Sequence, residues 1–178
     1  MKKMMWVLGV SVLLSACATP TVDMPVQSGV SLERYVGTWH EQARLPNRFQ
    51  KDCAADVRAD YALNPDGSLT VTNQCRKEDG SIKLAEGEGR LASSGPRNPA
   101  KLEVRFAPKS LGWLPMVWGD YWILRLDDDY QYSLVGTPDR KYLWVLSREE
   151  QADTRRVQQL LDYARTQGFP VEEVVRRP

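Results

Sequence analysis

The sequence predicts an all-β chain, an eight-stranded antiparallel up-and-down β-barrel with one α-helix packed outside it near the C-terminus. Three observations predict it. Eight strand-like runs follow one another with turn residues between them and no helix among them. A single run of helical periodicity comes only after the eighth. Gly37-Thr38-Trp39 opens the first run and Arg148 ends the last, positions that an up-and-down barrel brings together at its closed end. Closure removes exposed sheet edges, and eight strands leave room for one small ligand. An eight-stranded sandwich is the alternative that strand count alone leaves open.

The chain begins with a segment of another kind. Lys2-Lys3 is a short positive region, and Met4 to Leu14 is apolar and uncharged. Eleven residues of helix rise only about 16 Å, too short for a hydrocarbon core of about 30 Å, so a signal peptide is predicted rather than a membrane span. Leu14-Ser15-Ala16-Cys17 resembles the lipobox of bacterial lipoproteins, the alternative being a chance Cys near the end of a leader. That resemblance implies a lipoprotein signal peptide over 1–16 and an acylated Cys17 that carries diacylglycerol and palmitate-type chains. Ala18 follows Cys17, not the Asp that retains such proteins in the inner membrane, which implies the outer membrane. Residues 17–30, rich in Pro, Thr, Ser, Val and Gly, are predicted to be a flexible tether, and 31–178 the folded domain.

Ser31 is placed to cap a short helical turn over 32–35. The strands then read Gly37 to Leu45, Val57 to Leu63, Leu69 to Cys75, Ile82 to Ala92, Leu102 to Phe106, Tyr121 to Leu126, Tyr132 to Thr137 and Tyr142 to Ser147. Asn64-Pro65-Asp66-Gly67, Asp79-Gly80, Asp127-Asp128-Asp129 and Pro138-Asp139-Arg140 supply turn chemistry between them. Leu102-Glu103-Val104-Arg105-Phe106 alternates strictly, as a strand with one apolar face does. Asp153 then caps a helix whose Val157, Leu160, Leu161 and Ala164 form one stripe, and Gly168 stops it. Tyr142-Leu143-Trp144-Val145-Leu146 is apolar on both faces, which suits a strand covered by that helix.

At 178 residues, 42% hydrophobic and 26% charged, the totals describe one globular domain plus a leader. The formal net charge of +1, reduced further if Lys2 and Lys3 leave with the leader, excludes the concentrated basic surface that nucleic acid requires. With Cys17 assigned, Cys53 and Cys75 remain, and an even pair in an oxidising compartment reads as a disulfide. The geometry raises an obstacle. A hairpin centred on Asp66-Gly67 sets Cys75 opposite Arg58, five residues out of register with Cys53. The segment before Val57 must curl back or bulge, or the two thiols are free. His40 is the only His, so no metal cluster is expected, and no cofactor either.

Taken together, several stretches resemble the lipocalin family, and within it the bacterial outer-membrane lipoprotein lipocalins and the apolipoprotein D-like proteins. They are Tyr35-Val36-Gly37-Thr38-Trp39, Ala59-Asp60-Tyr61-Ala62-Leu63, Ala100 to Phe106, Tyr121-Trp122-Ile123-Leu124, and Gly136 to Arg140 running into Tyr142 to Arg148. The resemblance implies that Gly37, Trp39 and Arg148 form the barrel floor. Arg148 lies over the indole there, a contact worth about 0.5 to 2 kcal/mol. It puts the loops around 45–53, 76–81, 108–120 and 138–141 at the open end, with Cys53 and Cys75 near the rim. It also implies a small apolar or amphiphilic ligand: a fatty acid, lysophospholipid or similar molecule, carried for membrane maintenance.

Inward parity groups Val57, Ala59 and Tyr61, then Leu69, Val71 and Asn73, then Leu102, Val104 and Phe106. The resemblance implies pocket positions at Tyr61, Asn73, Phe106 and Trp144, and Trp122 and Tyr132 are two further candidates. Core packing is the competing reading for each. Leu111 to Trp118 is unusually apolar for a loop at a barrel mouth. It reads as a membrane-touching or lid segment, a loop folded over its own cavity, or a homodimer contact. No Gly-x-Ser-x-Gly elbow or metal-spaced cluster is present, so no catalytic residue is assigned. A structural envelope protein with a filled barrel is the main alternative to a binding protein.

Overall fold

A computed structural model describes residues 24–177; the predicted signal peptide, Cys17 and the first part of the tether lie outside the described residues. A short helix α1 (Leu32–Tyr35) is capped by Ser31, whose Oγ accepts from Arg34 N. The strands are β1 (Gly37–Arg44), β2 (Ala55–Leu63), β3 (Leu69–Arg76), β4 (Ile82–Leu91), β5 (Lys101–Arg105), β6 (Gly119–Leu126), β7 (Tyr132–Gly136) and β8 (Leu143–Ser147). Helix α2 (Thr154–Thr166) and a two-residue strand β9 (Val175–Arg176) complete the order.

Each strand pairs antiparallel with the next, and β1 closes the sheet by pairing with both β2 and β8. One continuous closed sheet is a barrel, so the sandwich alternative is excluded. β1 divides its length between its neighbours. Gly37 to His40 pair with β2, whereas His40 to Arg44 pair with β8 across a bulge after Glu41. On the side that β2 leaves, β9 pairs with Ala43 and Arg44. The sequence reading contains no ninth strand, because two residues carry no periodicity; the unpaired edge of β1 specifies it.

Two apolar layers hold the molecule. Inside the barrel, Trp39, Tyr61, Leu69, Val71, Leu102, Ile123, Val135 and Leu146 are buried together. Outside, Leu124, Leu134, Leu143 and Val145 meet Val157, Leu161 and Ala164 of α2 and Phe169 beyond it. The doubly apolar last strand is therefore explained as predicted: Leu146 faces in, and Leu143 and Val145 face the helix. Asp153 caps α2 by accepting from Arg155 N, and Gly168 follows the helix in the left-handed region at φ +84°. Gly136 lets the helix side approach closely, since a Cβ there would come 2.7 Å from Phe169 Cζ.

The predicted tether is shorter than its composition indicated. Met24 is 1% exposed within the outer cluster and Val30 is 7% exposed in the inner one. Gln27 N donates to Ile123 O, and Ser31 N donates to Tyr130 Oη at the β6–β7 turn. Residues 24–30 thus form a strap along the wall. The Met24, Val26 and Val30 side chains are packed against the wall.

Candidate functional site

The closed end is built first. Gly37 adopts φ +99°, and a Cβ on it would stand 3.2 Å from Arg148 Nη1. That opening lets the guanidinium lie 3.9 Å above the Trp39 ring while Nη1 donates to Thr38 O. Its Nη2 reaches the carbonyls of Arg34, Tyr35 and Val36, all at 3.0 Å. These include the last carbonyls of α1, which have no partner within so short a helix. Trp39 Nε1 donates to Tyr35 O at 2.8 Å, so floor and helix are one unit.

Above the floor lies a buried row of hydroxyls. Tyr61 Oη donates to Tyr121 Oη at 2.9 Å, Tyr121 and Tyr35 share a bond of 2.8 Å, and Tyr35 meets Ser133 Oγ at 3.2 Å. Burial pushes the Tyr35 phenol up to about 12, and those of Tyr61 and Tyr121 rise too, so all three stay neutral. All three phenol protons at the deep end are thus engaged within the row.

From there a cavity of about 860 Å³ runs to the open end. A volume of this size lies within the usual ligand-site range of about 300 to 1,000 Å³. Ala59, Val71, Ala85, Val104 and Leu146 form its middle wall. Asn73 also borders it, with no protein hydrogen bond to its amide among the described residues. Higher up, Trp144 Nε1 donates to Gln50 Oε1 at 3.0 Å, Gln50 Nε2 to Glu41 Oε2 at 2.5 Å, and Arg44 Nη1 to Glu41 Oε1 at 2.6 Å. Burial raises the Glu41 carboxyl pKa, and the charge of Arg44 opposes that rise. Phe49, Tyr142 and Trp144 form an aromatic row, with ring centroids 5.7 and 5.9 Å apart.

The rim is tied by a disulfide between Cys53 and Cys75, with Cα atoms 5.5 Å apart. Two features each take up one residue of the offset, and the turn before β2, in which Cys53 N donates to Gln50 O, curls the chain back over the rest. The hairpin pairs Leu63 with Leu69 across a five-residue loop, one step from a turn centred on Asp66-Gly67. A bulge between Ala55 and Arg58, with Asp56 at φ +54°, then sets Ala55 opposite Arg76. The chain bulges, as the pairing requires.

Of the six predicted pocket residues, Tyr61, Asn73, Phe106 and Trp144 border this one cavity. Trp122 and Tyr132 do not, which corrects the prediction for both. Trp122 faces outward between the inward Tyr121 and Ile123, and Lys101 Nζ stands 4.2 Å over its ring. Tyr132 also faces out, and its Oη accepts from Asp153 N at the start of α2. Both strands are apolar on two faces because α2 covers them, so composition could not choose the inward face. Glu41, Gln50, Phe49 and Tyr142 were missed. Glu41 was detectable, since it shares parity with Trp39, and so was Tyr142, which shares parity with Trp144 in the predicted last strand; Phe49 and Gln50 come from loop positions that parity does not reach.

The apolar loop is partly anchored. Trp118 Nε1 donates to Gly112 O, and the guanidinium groups of Arg90 and Arg105 stand 3.8 Å and 5.1 Å from its ring centroid. Met116, Val117 and Trp118 border the cavity mouth, yet Trp113 is 76% and Met116 85% exposed. His40 is half-buried on the outer face, and Glu88 pairs with Arg105 outside the wall.

Comparison with known proteins agrees with this geometry. The model of the lipocalin-like domain matches residues 30–178. Temperature-induced lipocalin-1 of Arabidopsis thaliana is 40% identical over 162 residues, covering 90% of this chain and 85% of that protein. Outer membrane lipoprotein Blc of Escherichia coli K12 is 33% identical over 165 residues, covering 92% of this chain and 88% of that one. Insecticyanin from the tobacco hornworm Manduca sexta superposes with a TM-score of 0.64 at 19% identity, over 88% of this chain and 84% of that structure. A closed eight-stranded barrel, an external helix and an arginine-sealed tryptophan floor thus occur in a chain that belongs to the lipocalin family.

Proposed function

We propose that this lipocalin holds one amphiphile, a fatty acid, lysophospholipid or similar molecule, with its tail in the barrel and its head at the rim. The cavity's polarity gradient carries that reading. Its deep hydroxyls bond one another, its middle wall is apolar except for Asn73 beside Ala59 and Ala85, and its polar side chains Gln50 and Glu41 stand higher. A tail going down displaces water from apolar surface, whereas a buried headgroup would lose its hydration beside phenols already bonded within their own row. The reading requires binding and no chemistry. Acylation at Cys17 places the protein on the outer membrane facing the periplasm, a location supported by the Blc relative's description as an outer membrane lipoprotein. There it would serve membrane maintenance by holding or carrying displaced lipid.

Native mass spectrometry after extraction in a mild detergent tests the cavity. The expected result is one lipid mass per chain, lost in Ala59→Trp, where an indole fills the middle of the cavity. Near-ultraviolet circular dichroism confirms that the variant folds. An empty wild-type chain that also takes up no added amphiphile would sink this reading in favour of a structural envelope protein.

A further inference from the structure

Large apolar side chains stand exposed at nine described positions, and only Leu63, at the closed-end hairpin, and Val175, on the side, lie away from the mouth. The rest gather round the opening: Phe49 before β2, Ile82 and Leu84 at the start of β4, Phe106 after β5, and the 111–116 loop with Trp113 at its tip. Surface apolar residues scattered singly need no explanation, but a ring confined to one end does. Phe49, Phe106 and Met116 also border the cavity, so the ring is continuous with the proposed ligand path.

The N-terminal strap supplies a second, independent observation. From Ser31 at the closed end, the chain followed backwards climbs beside β6, with Gln27 bonded to Ile123, and is buried on the wall at Met24. Met24 lies seven residue steps from Cys17, and a fully extended chain gives them at most about 25 Å. An eight-residue strand tilted as barrel strands are spans roughly 20 Å of height. Reaching a membrane below the closed end would therefore consume nearly the whole reach in descending the wall. The mouth side is nearer.

The geometry points to a mouth-down orientation: the apolar rim rests on the same bilayer that holds the acyl chains of Cys17. Lipid would then pass between bilayer and cavity across Trp113, Met116 and Phe106 without crossing water. This inference rests on the acylation of Cys17 proposed above, and its occupant is the anchoring membrane itself.

The test uses the mature acylated chain in vesicles of phosphatidylethanolamine and phosphatidylglycerol with brominated acyl chains, which quench nearby indoles. Wild type is compared with Trp113→Phe and with Leu63→Trp, a probe at the closed end. Both positions are exposed, so both variants should fold. Quenching is expected to fall by half or more in Trp113→Phe, and the Leu63→Trp indole should add no quenched component. Equal quenching in wild type and Trp113→Phe, or a quenched Leu63→Trp indole, would overturn the orientation. A chain whose mass lacks the acyl groups would overturn it too. The ligand reading is scored separately: a lipid adduct without Trp113 quenching sinks only the orientation, and quenching without an adduct sinks only the cavity's role.

Discussion

Arg148 joins the first and last strands through the Trp39 ring and the carbonyls of Arg34, Tyr35, Val36, Thr38 and Tyr130. Removing it takes away the cation–π contact and five hydrogen bonds to mostly part-buried carbonyls, so Arg148→Ala should destabilise the domain by about 3 kcal/mol in urea unfolding. Arg148→Lys should recover only part of that, because an ammonium cannot reproduce the planar fork. The tyrosine row gives a pH dependence. Folding raises the Tyr35 phenol to about 12, above the ordinary value of 10.0. The folded state thus keeps protons that the unfolded state releases, and the associated stability is present below pH 10 and lost as pH rises towards 12. Ultraviolet titration should show exposed tyrosines ionising first and the row only on unfolding. Phenolate absorbance from all seven tyrosines while the fold is intact would contradict this assignment.

The helix and the rim disulfide fasten the barrel at two places. Phe169 bridges the end of α2 to Gly136 on β7, and Phe169→Ala should cost about 3 to 5 kcal/mol, read as a lowered Tm. The Cys53–Cys75 bond closes a separation of 22 residues and should contribute roughly 3 kcal/mol by restricting the unfolded chain. Reduction should lower Tm and speed hydrogen exchange in the 45–54 loop while leaving the floor protected. The bulge that permits this bond turns on Asp56 in the left-handed region, where the sequence offers no glycine to announce it.

At the scale of the molecule, a ligand that binds only the folded barrel must stabilise it by mass action. An amphiphile at a hundredfold excess over its Kd should add about 2.7 kcal/mol. A matched rise in Tm is expected for wild type and none for Ala59→Trp, in which the cavity is filled. A rise of equal size in both would place the binding outside the barrel.

Periodicity, turn chemistry and the Gly37-Thr38-Trp39 and Arg148 pair were enough to determine eight strands, the external helix and the sealed floor, because alternation and capping are local properties of the chain. The family resemblance pointed to Tyr61, Asn73, Phe106 and Trp144, and parity permitted all four. Neither could place Trp122 and Tyr132, where helix α2 covers the outer wall and makes both faces of a strand apolar. Only the tertiary structure decided those two, together with the Glu41–Gln50–Trp144 cluster, strand β9 and the packing of residues 24–30. Each depends on a partner distant in sequence, and no short-range pattern encodes what a surface will meet once the barrel has closed.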